Sequence, residues 1–231
     1  MSFEPLKNSL NKKFYQAFFN SWRKLDVNFN QTQMENSIFD EEWDSLELKE
    51  RKRRLTEKIN AQLPDGFFEA TELLIQITED LAKSGEKISS YEYFFIPDYI
   101  EVFGKNYFNE SLNAIKAITQ FITCEFAIRP FLEDKPDQVM KHMLVLSKHP
   151  HENVRRFSSE GCRPKLPWGM ALKSLIKNPS PILPILENPN ADKSLFVRKS
   201  VANNLNDISK DHPELVIETA KRWQNKNEHT Q

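Results

Sequence analysis

Apolar residues recur at helical spacing along most of the chain. Early on, Phe14, Phe18 and Trp22 are spaced four residues apart and therefore lie on one face of a helix. Only five glycines occur in 231 residues, so few positions favour chain reversals. The pattern predicts an all-α protein with helices over 10–25, 41–63, 65–83, 109–126, 136–147, 151–161, 169–177, 180–187, 194–209 and 213–224. Within the aromatic segment 91–102, we expect a break at Pro97.

Two segments in the last third of the chain are near-copies of each other. Residues 154–161 read VRRFSSEG, and residues 197–204 read VRKSVANN. Their offset of 43 residues lies within the period of about 40–47 residues that is typical of HEAT-type repeats. We therefore predict an all-α, HEAT-like helical-repeat solenoid with a concave face that holds a charged partner.

The expected domain organisation is simple. We predict one domain over residues 1–224, with an N-terminal helical part over 1–90 and the repeats that carry the candidate site over 91–224. Residues 225–231 form a polar tail. A chain of this length can bury enough core to fold without metal or disulfide staples.

The helix predicted over 194–209 has one apolar and one polar face. Val197 and Val201 mark the buried stripe. The opposite face carries polar residues, with Asp207 at its margin: Lys199, Asn203, Asn206 and Lys210. Glu160 occupies the corresponding angle in the first copy, and stacked repeats keep their orientation. We therefore expect Glu160 and the Asn203/Asp207 pair to project from the same side of adjacent repeats, whose axes lie about 8–10 Å apart.

Glu125 falls on the buried arc of the helix predicted over 109–126. A carboxylate there is unfavourable unless it is paired or protonated with a raised pKa. A salt bridge to Arg129, four residues later, is the structural alternative, although Pro130 disfavours helical geometry at that position.

Three further candidates have ordinary structural alternatives. Glu160 can pair with Arg156 four residues earlier, and Asp207 can be a residue near a helix end beside Lys210. For Trp168, a place in the core is the default expectation.

Charge is distributed unevenly along the chain. Residues 1–147 contain 18 Lys and Arg against 24 Asp and Glu, whereas residues 148–223 contain 13 against 8. An anionic partner for the C-terminal half is one explanation, and an ordinary solvated basic surface is the other.

The remaining composition favours a cytoplasmic protein. No apolar run approaches the roughly 18 residues of a membrane span, and residues 1–13 contain no signal-peptide core. Cys124 and Cys162 have no metal-ligand spacing and are too few for a disulfide framework. The sequence implies no metal, no nucleotide and no redox cofactor. It implies no obligate protein partner either, and we expect a monomer.

Three stretches carry a resemblance to a known family. They read CEFAIRPF over 124–131, VRRFSSEGCRPKLPW over 154–168 and VRKSVANNLNDISKDHP over 197–213. On these residues the chain resembles the bacterial HEAT-like repeat DNA alkylation-repair glycosylases, and within them the AlkC branch rather than the AlkD branch. One departure is RPK over 163–165, where RPR is commoner, and it keeps the charge. Some members carry an extra immunoglobulin-like C-terminal domain, and we expect its DNA contacts to be absent or replaced in this chain.

The resemblance implies helical repeats curved around duplex DNA and hydrolysis of the N-glycosidic bond of cationic alkylated bases, 3-methyladenine above all. Duplex DNA containing such bases is the implied partner. Glu125, Glu160 and Asp207 correspond to catalytic carboxylates, and Arg163 and Trp168 to lesion-binding side chains. The candidates for DNA binding are mostly cationic: Arg155, Arg156, Lys165, Arg198, Lys199, Asn203 and Lys210.

Those residue types suit the chemistry. A base alkylated at a ring nitrogen leaves as a neutral molecule, so the site must stabilise a cationic sugar and activate a water. Trp168 can stack on the lesion with about 0.5–2 kcal/mol of cation–π attraction.

Two other functions are alternatives to a glycosylase. One is a HEAT scaffold that binds an acidic protein, and the other is a family member that binds DNA without catalysis.

Overall fold

The computed structural model describes residues 5–224 and 226, and every regular element in them is helical. The prediction of an all-α helical-repeat fold is confirmed. The α-helices are α1 (Gln16–Leu25), α2 (Gln31–Ile38), α3 (Leu48–Asn60), α4 (Phe67–Lys83), α5 (Phe95–Phe103), α6 (Phe108–Ile118), α7 (Arg129–Asp134), α8 (Pro136–Leu146), α9 (Glu152–Glu160), α10 (Lys173–Lys177), α11 (Leu183–Glu187), α12 (Leu195–Ser209) and α13 (Pro213–Trp223). Short 3-10 turns cover Leu6–Ser9, Trp43–Ser45, Tyr91–Tyr93 and Ser180–Ile182. Within the described residues, no helix has the length and apolar character that crossing a bilayer requires.

The chain divides into two compact units, Met1–Ile122 and Thr123–Gln231. The predicted single domain with repeats starting at residue 91 stays a prediction. The predicted tail over 225–231 lies outside the described residues apart from Lys226.

The first unit has an aromatic core. Helix α1 packs against α4, and α3 packs against α5. Trp22 is fully buried and stacks on Phe29 with ring centroids 4.3 Å apart. Phe18 meets Trp22 edge-on at 5.7 Å, and Tyr15 and Phe95 pack beside it. Aromatic burial of this kind supplies most of the hydrophobic stabilisation of such a unit.

The second unit is built around the two near-copies. Helices α9 and α12 pack along each other, with α8 against α9 and α13 against α12. Val154 and Phe157 of α9 and Val197 and Val201 of α12 are buried, as the helical wheel predicts. The repeat therefore places equivalent faces of the two helices side by side.

Several predicted helix boundaries are wrong for identifiable reasons. The predicted helix 41–63 is divided, because Glu47 and Glu50 form a capping box that starts α3 at Leu48. The expected break at Pro97 does not occur, since Pro97 lies in the first turn of α5, where its missing N–H has no helical partner to lose. Helix α2 was not predicted, and Asn30 caps its start.

The predicted helix 109–126 ends early, at Ile118. The apolar pattern continues past this point because Ile122 and other turn residues are also buried. Glu125 therefore belongs to the connection before α7, and α7 itself begins at Arg129 with Pro130 in its first turn.

Replacing Trp22 tests the aromatic core of the first unit. Trp22→Ala should lower the free energy of unfolding by about 3–5 kcal/mol, because it removes a fully buried indole and leaves a cavity. Val27→Ala is the control, since Val27 is 90% exposed and should change stability by less than about 0.5 kcal/mol. Urea denaturation measures the free energy of unfolding of both variants. Equal losses for Trp22→Ala and Val27→Ala would contradict the assignment of Trp22 to this core.

Candidate active site

Three carboxylates from separate segments are buried in the second unit. Glu125 comes from the connection between α6 and α7, Glu160 is the last residue of α9, and Asp207 lies in α12. Their exposed fractions are 7%, 5% and 2%. Buried carboxylates need counter-charges or hydrogen bonds, so their partners define what the site can do.

Arg163 bridges two of the carboxylates. Its Nη1 donates to Glu160 Oε1 at 2.7 Å, and its Nε donates to Asp207 Oδ2 at 2.9 Å. Burial acts to lower the pKa of Arg163, but the hydrogen bonds to Asp207 and Glu160 outweigh it and raise that pKa. Glu160 and Asp207 are therefore separated by a single permanently charged guanidinium, so the structure brings these two predicted residues together, whereas Asn203, predicted to pair with Asp207, is exposed.

Arg156 extends the cluster to the third carboxylate. Its Nη1 donates to Glu125 Oε2 at 2.6 Å and to Thr123 Oγ1 at 2.7 Å. Its Nη2 lies 3.4 Å from Glu160 Oε1, and its guanidinium carbon lies 5.1 Å from the centre of the Phe196 ring. Carboxylates and guanidiniums thus alternate without interruption from Glu125 to Asp207.

The alternative prediction, a salt bridge between Glu125 and Arg129, is wrong. Glu125 pairs with Arg156, whereas Arg129 donates to the backbone carbonyls of Gly161 and Arg163. A salt bridge between Glu125 and Arg129 requires both residues to lie on one helix. The helix predicted to contain Glu125 ends at Ile118, so the two residues do not have this spacing on a helix face.

Two further donors complete the cluster. Ser200 donates to Glu160 Oε2 at 2.6 Å, and Lys210 Nζ lies 3.3 Å from Asp207 Oδ1. The contact of Ser200 with Glu160 was not predicted from the sequence. Its signal was available, since the second copy has this serine where the first copy has Phe157, which leaves a hydroxyl on a buried face.

The environment of Glu125 raises the pKa of its carboxyl group. Burial raises the pKa of Glu125 above its ordinary value of 4.5, and the nearby charge of Glu160 acts in the same direction. The ion pair with Arg156 opposes both effects without cancelling them. Glu125 therefore holds its proton more tightly than an ordinary exposed glutamate does.

Trp168 is not in the core, so the default expectation for a lone tryptophan is wrong here. Its side chain is 74% exposed, and its backbone adopts φ = 65°, in the left-handed region that residues other than glycine rarely occupy. The exposed indole is available to a ligand.

The candidates for DNA binding separate into two groups. Arg155 is 9% exposed and commits its guanidinium to Asp192 and to the carbonyls of His149 and Pro150. Arg198 donates to the carbonyl of Asp192 at 2.6 Å. These contacts make Arg155 a structural residue and occupy part of Arg198.

The second group is accessible. Lys199 and Asn203 are exposed on α12, and the side chain of Lys210 is 58% exposed. Lys165 is partly exposed and pairs with Asp211 at 2.6 Å. Arg156 and Arg163 belong to the buried cluster rather than to this surface.

Comparisons with known proteins support one assignment. No protein-family model matches the chain. The uncharacterized protein YhaZ of Bacillus subtilis (strain 168) is 40% identical over 225 residues, which cover 97% of this chain and 61% of that protein. The structure of Pseudomonas fluorescens alkylpurine DNA glycosylase AlkC, bound to DNA containing an abasic site analog, superposes with a TM-score of 0.90 at 33% identity. That match covers 99% of this chain and 62% of AlkC, so the chain spans about three fifths of the length of both relatives.

The fold and the buried cluster define a HEAT-like helical-repeat protein with a polar site between two repeats of one unit. Within this class, the chain is similar over nearly its whole length to YhaZ and to AlkC, and AlkC is an alkylpurine DNA glycosylase.

The raised pKa of Glu125 has a consequence for stability. The folded protein binds this proton more tightly than the unfolded chain, so ionising Glu125 disfavours folding as the pH rises from the ordinary value of about 4.5 through the raised pKa. Wild type should therefore lose stability relative to Glu125→Gln across that interval, and the difference should level off above it. Urea denaturation of both proteins between about pH 4 and pH 8 measures this. A difference that moves in favour of wild type with rising pH would contradict the assignment.

Proposed function

We propose that this protein is a DNA glycosylase of alkylation repair, which hydrolyses the N-glycosidic bond of cationic alkylated bases such as 3-methyladenine in duplex DNA. The observation that carries the proposal is the alternating buried cluster from Glu125 to Asp207. It occurs in a chain whose structural relative AlkC is bound to DNA containing an abasic site analog.

The charge of the cluster suits a cationic transition state. Its three carboxylates and two guanidiniums carry one excess negative charge when all five are ionised, and the more exposed ammonium group of Lys210 at the edge offsets part of that charge. Charges in a poorly solvated site act more strongly than in water. Because the arginines hold the carboxylates in fixed positions, little reorganisation is needed when the sugar develops oxocarbenium character.

A division of labour follows from the number of donors on each carboxylate. Glu160 accepts hydrogen bonds from Arg163 and Ser200 and forms an ion pair with Arg156, and these contacts fix it as an electrostatic group. Glu125 has one guanidinium partner, and burial raises its pKa. A general base works best with a pKa near the working pH, so we assign water activation to Glu125 and stabilisation of the sugar to Glu160 and Asp207.

The exposed indole of Trp168 is assigned to the lesion. A cationic alkylated base over its face gains about 0.5–2 kcal/mol that a neutral base does not gain. This difference selects the lesion by charge. It is compatible with capture of the lesion without full extrusion from the duplex.

The exposed face of α12 is assigned to the DNA backbone. Lys199 and Asn203 are exposed there, Lys210 is exposed directly after the helix, and Arg198 is partly exposed. Contacts of this kind position a protein on DNA without reading its sequence. Arg155 has no place in this proposal, since its donors serve Asp192 and two carbonyls.

Release of free base from methylated duplex DNA tests the proposed reaction. Glu160→Gln and Asp207→Asn should each slow release by at least about a hundredfold, because each removes one negative charge near the developing cation. Such a loss corresponds to roughly 2.7 kcal/mol of transition-state stabilisation. Glu218→Gln is the matched control, since Glu218 is exposed on α13 of the same unit.

Two outcomes of that assay would overturn the proposal. No release of base by folded wild-type protein that still binds duplex DNA would leave a non-catalytic DNA-binding protein. No release together with no duplex binding would leave a protein-binding scaffold.

The salt dependence of duplex binding tests the DNA-facing surface separately. If Lys199 contacts a phosphate, Lys199→Gln should reduce the slope of log K against log salt by about 0.9. Lys221→Gln makes the same change in net charge on α13 and should leave the slope unchanged. Fluorescence anisotropy with a labelled duplex at several salt concentrations measures both, and equal slopes for the two variants would exclude Lys199 from the interface.

A further inference from the structure

The segment that carries Arg163 and Trp168 is anchored by one buried arginine. Arg129, at the start of α7, is 1% exposed. Its Nη1 donates to the carbonyl of Arg163 at 3.0 Å and to that of Gly161 at 3.3 Å, and its Nε donates to the carbonyl of Met170. One guanidinium therefore holds both ends of the segment 161–170.

The partners of Arg129 are unusual for a buried cation. Among the described residues, its hydrogen bonds go to backbone carbonyls and none goes to a carboxylate. Burial lowers the pKa of Arg129 to about 10, which still leaves it charged at neutral pH. A desolvated charge with no carboxylate in direct contact among the described residues is unfavourable for stability, so its presence calls for a specific structural benefit.

The backbone of the segment is fitted around this side chain. A Cβ added at Gly169 would lie 3.3 Å from both Cδ and Nε of Arg129 and 3.1 Å from Leu166 Cδ2. Gly169 thus allows the close approach of the backbone to the guanidinium. Trp168, immediately before it, holds its left-handed φ of 65°. A sparsely populated backbone conformation persists only where the surroundings fix it, and the contacts of Arg129 on both sides of Trp168 do so.

We propose that Arg129 is a positioning residue, which sets where Trp168 stands relative to the Glu160–Arg163–Asp207 bridge. The inference rests on the proposed function, because it concerns the geometry of that same site. The carbonyl of Gly161 follows Glu160 directly, the second carbonyl belongs to Arg163 itself, and the third lies two residues beyond Trp168. The ion cluster and the exposed indole therefore share one anchor.

This arrangement predicts a loss of rate rather than a loss of DNA affinity. Arg129 is buried and does not reach DNA, whereas the two groups that it positions act on the lesion. A misplacement of about 1 Å in reacting groups can reduce a rate about a hundredfold. Removing the anchor should therefore slow base release much more than it weakens duplex binding.

The test compares Arg129→Met with Arg51→Met. Arg51 is a matched control in the first unit, because it is 4% exposed and donates to the carbonyls of Lys7, Asp44 and Leu46. Arg129→Met should slow single-turnover base release by about ten- to a hundredfold while the Kd for duplex stays within about threefold. Arg51→Met should lower stability and leave the rate unchanged. Arg129→Lys, which keeps the charge but loses the planar fork, should recover part of the rate.

Hydrogen exchange reports the anchoring without any reaction. The amides of Gly169 and Leu172 donate to the carbonyls of Leu166 and Pro164, so the peptide over 161–172 should exchange faster in Arg129→Met than in wild type and Arg51→Met. If Arg129→Met fails to fold, Gly169→Ala replaces it. That variant keeps Arg129 but forces the contact apart by a few tenths of an ångström, and should accelerate the same exchange and slow base release at unchanged Kd.

The outcomes separate this inference from the proposed function. Unchanged exchange over 161–172, or a rate loss equal to that of Arg51→Met, would overturn the positioning role even if wild type is an active glycosylase. Faster exchange in Arg129→Met, with no base release by wild type, would support the anchor and reject the glycosylase. Equal losses in rate and affinity would assign Arg129 to general stability and overturn the inference.

Discussion

The bridge that Arg163 makes between Glu160 and Asp207 is the interaction on which the site depends. Two carboxylates on neighbouring helices repel each other strongly when water is excluded. The guanidinium removes that repulsion by donating to both, at 2.7 Å and 2.9 Å. Arg163 lies three residues after the end of α9 and contacts Asp207 of α12, while Arg156, one turn before Glu160, contacts Glu125. The second unit can therefore concentrate negative charge in a buried place and remain folded.

The packing of α9 on α12 sets the register of that bridge. Ser159 and Ser200 meet with their hydroxyls 2.6 Å apart, and the side-chain amide of Asn204 donates to the carbonyl of Ser159 at 2.7 Å. Small hydroxyl side chains let the helices approach, and buried polar contacts are satisfied in one register only. A slip along the helix axis would break these contacts and the pairing of Ser200 with Glu160 together. The near-copies in the sequence thus serve the site through alignment as well as through the fold.

The sequence alone predicted that α9 and α12 bring Glu160 and Asp207 together, because helical periodicity can be read from neighbouring residues. Val154 and Phe157 mark the buried face of α9, Val197 and Val201 mark that of α12, and these two faces orient Glu160 and Asp207 respectively. Glu125 and Arg129 were placed wrongly, since turn residues such as Ile122 are buried and extend the apolar pattern beyond the end of α6. Trp168 was unpredictable from periodicity, because its exposure depends on a left-handed backbone held by a side chain 39 residues earlier in the chain. Contacts between a side chain and a distant carbonyl leave no periodic signal.

Under the proposed function, the sign of the charge in the cluster is sufficient to discriminate between bases. A neutral base leaves with negative charge unless a proton donor meets it, and a site with excess carboxylate opposes that charge. A base alkylated at a ring nitrogen leaves as a neutral molecule, so only the sugar carries charge in the transition state and the carboxylates stabilise it. The same electrostatics therefore accelerate one reaction and disfavour the other. Recognition then needs no reading of base edges, which fits a site whose exposed groups are an indole and several cations on α12.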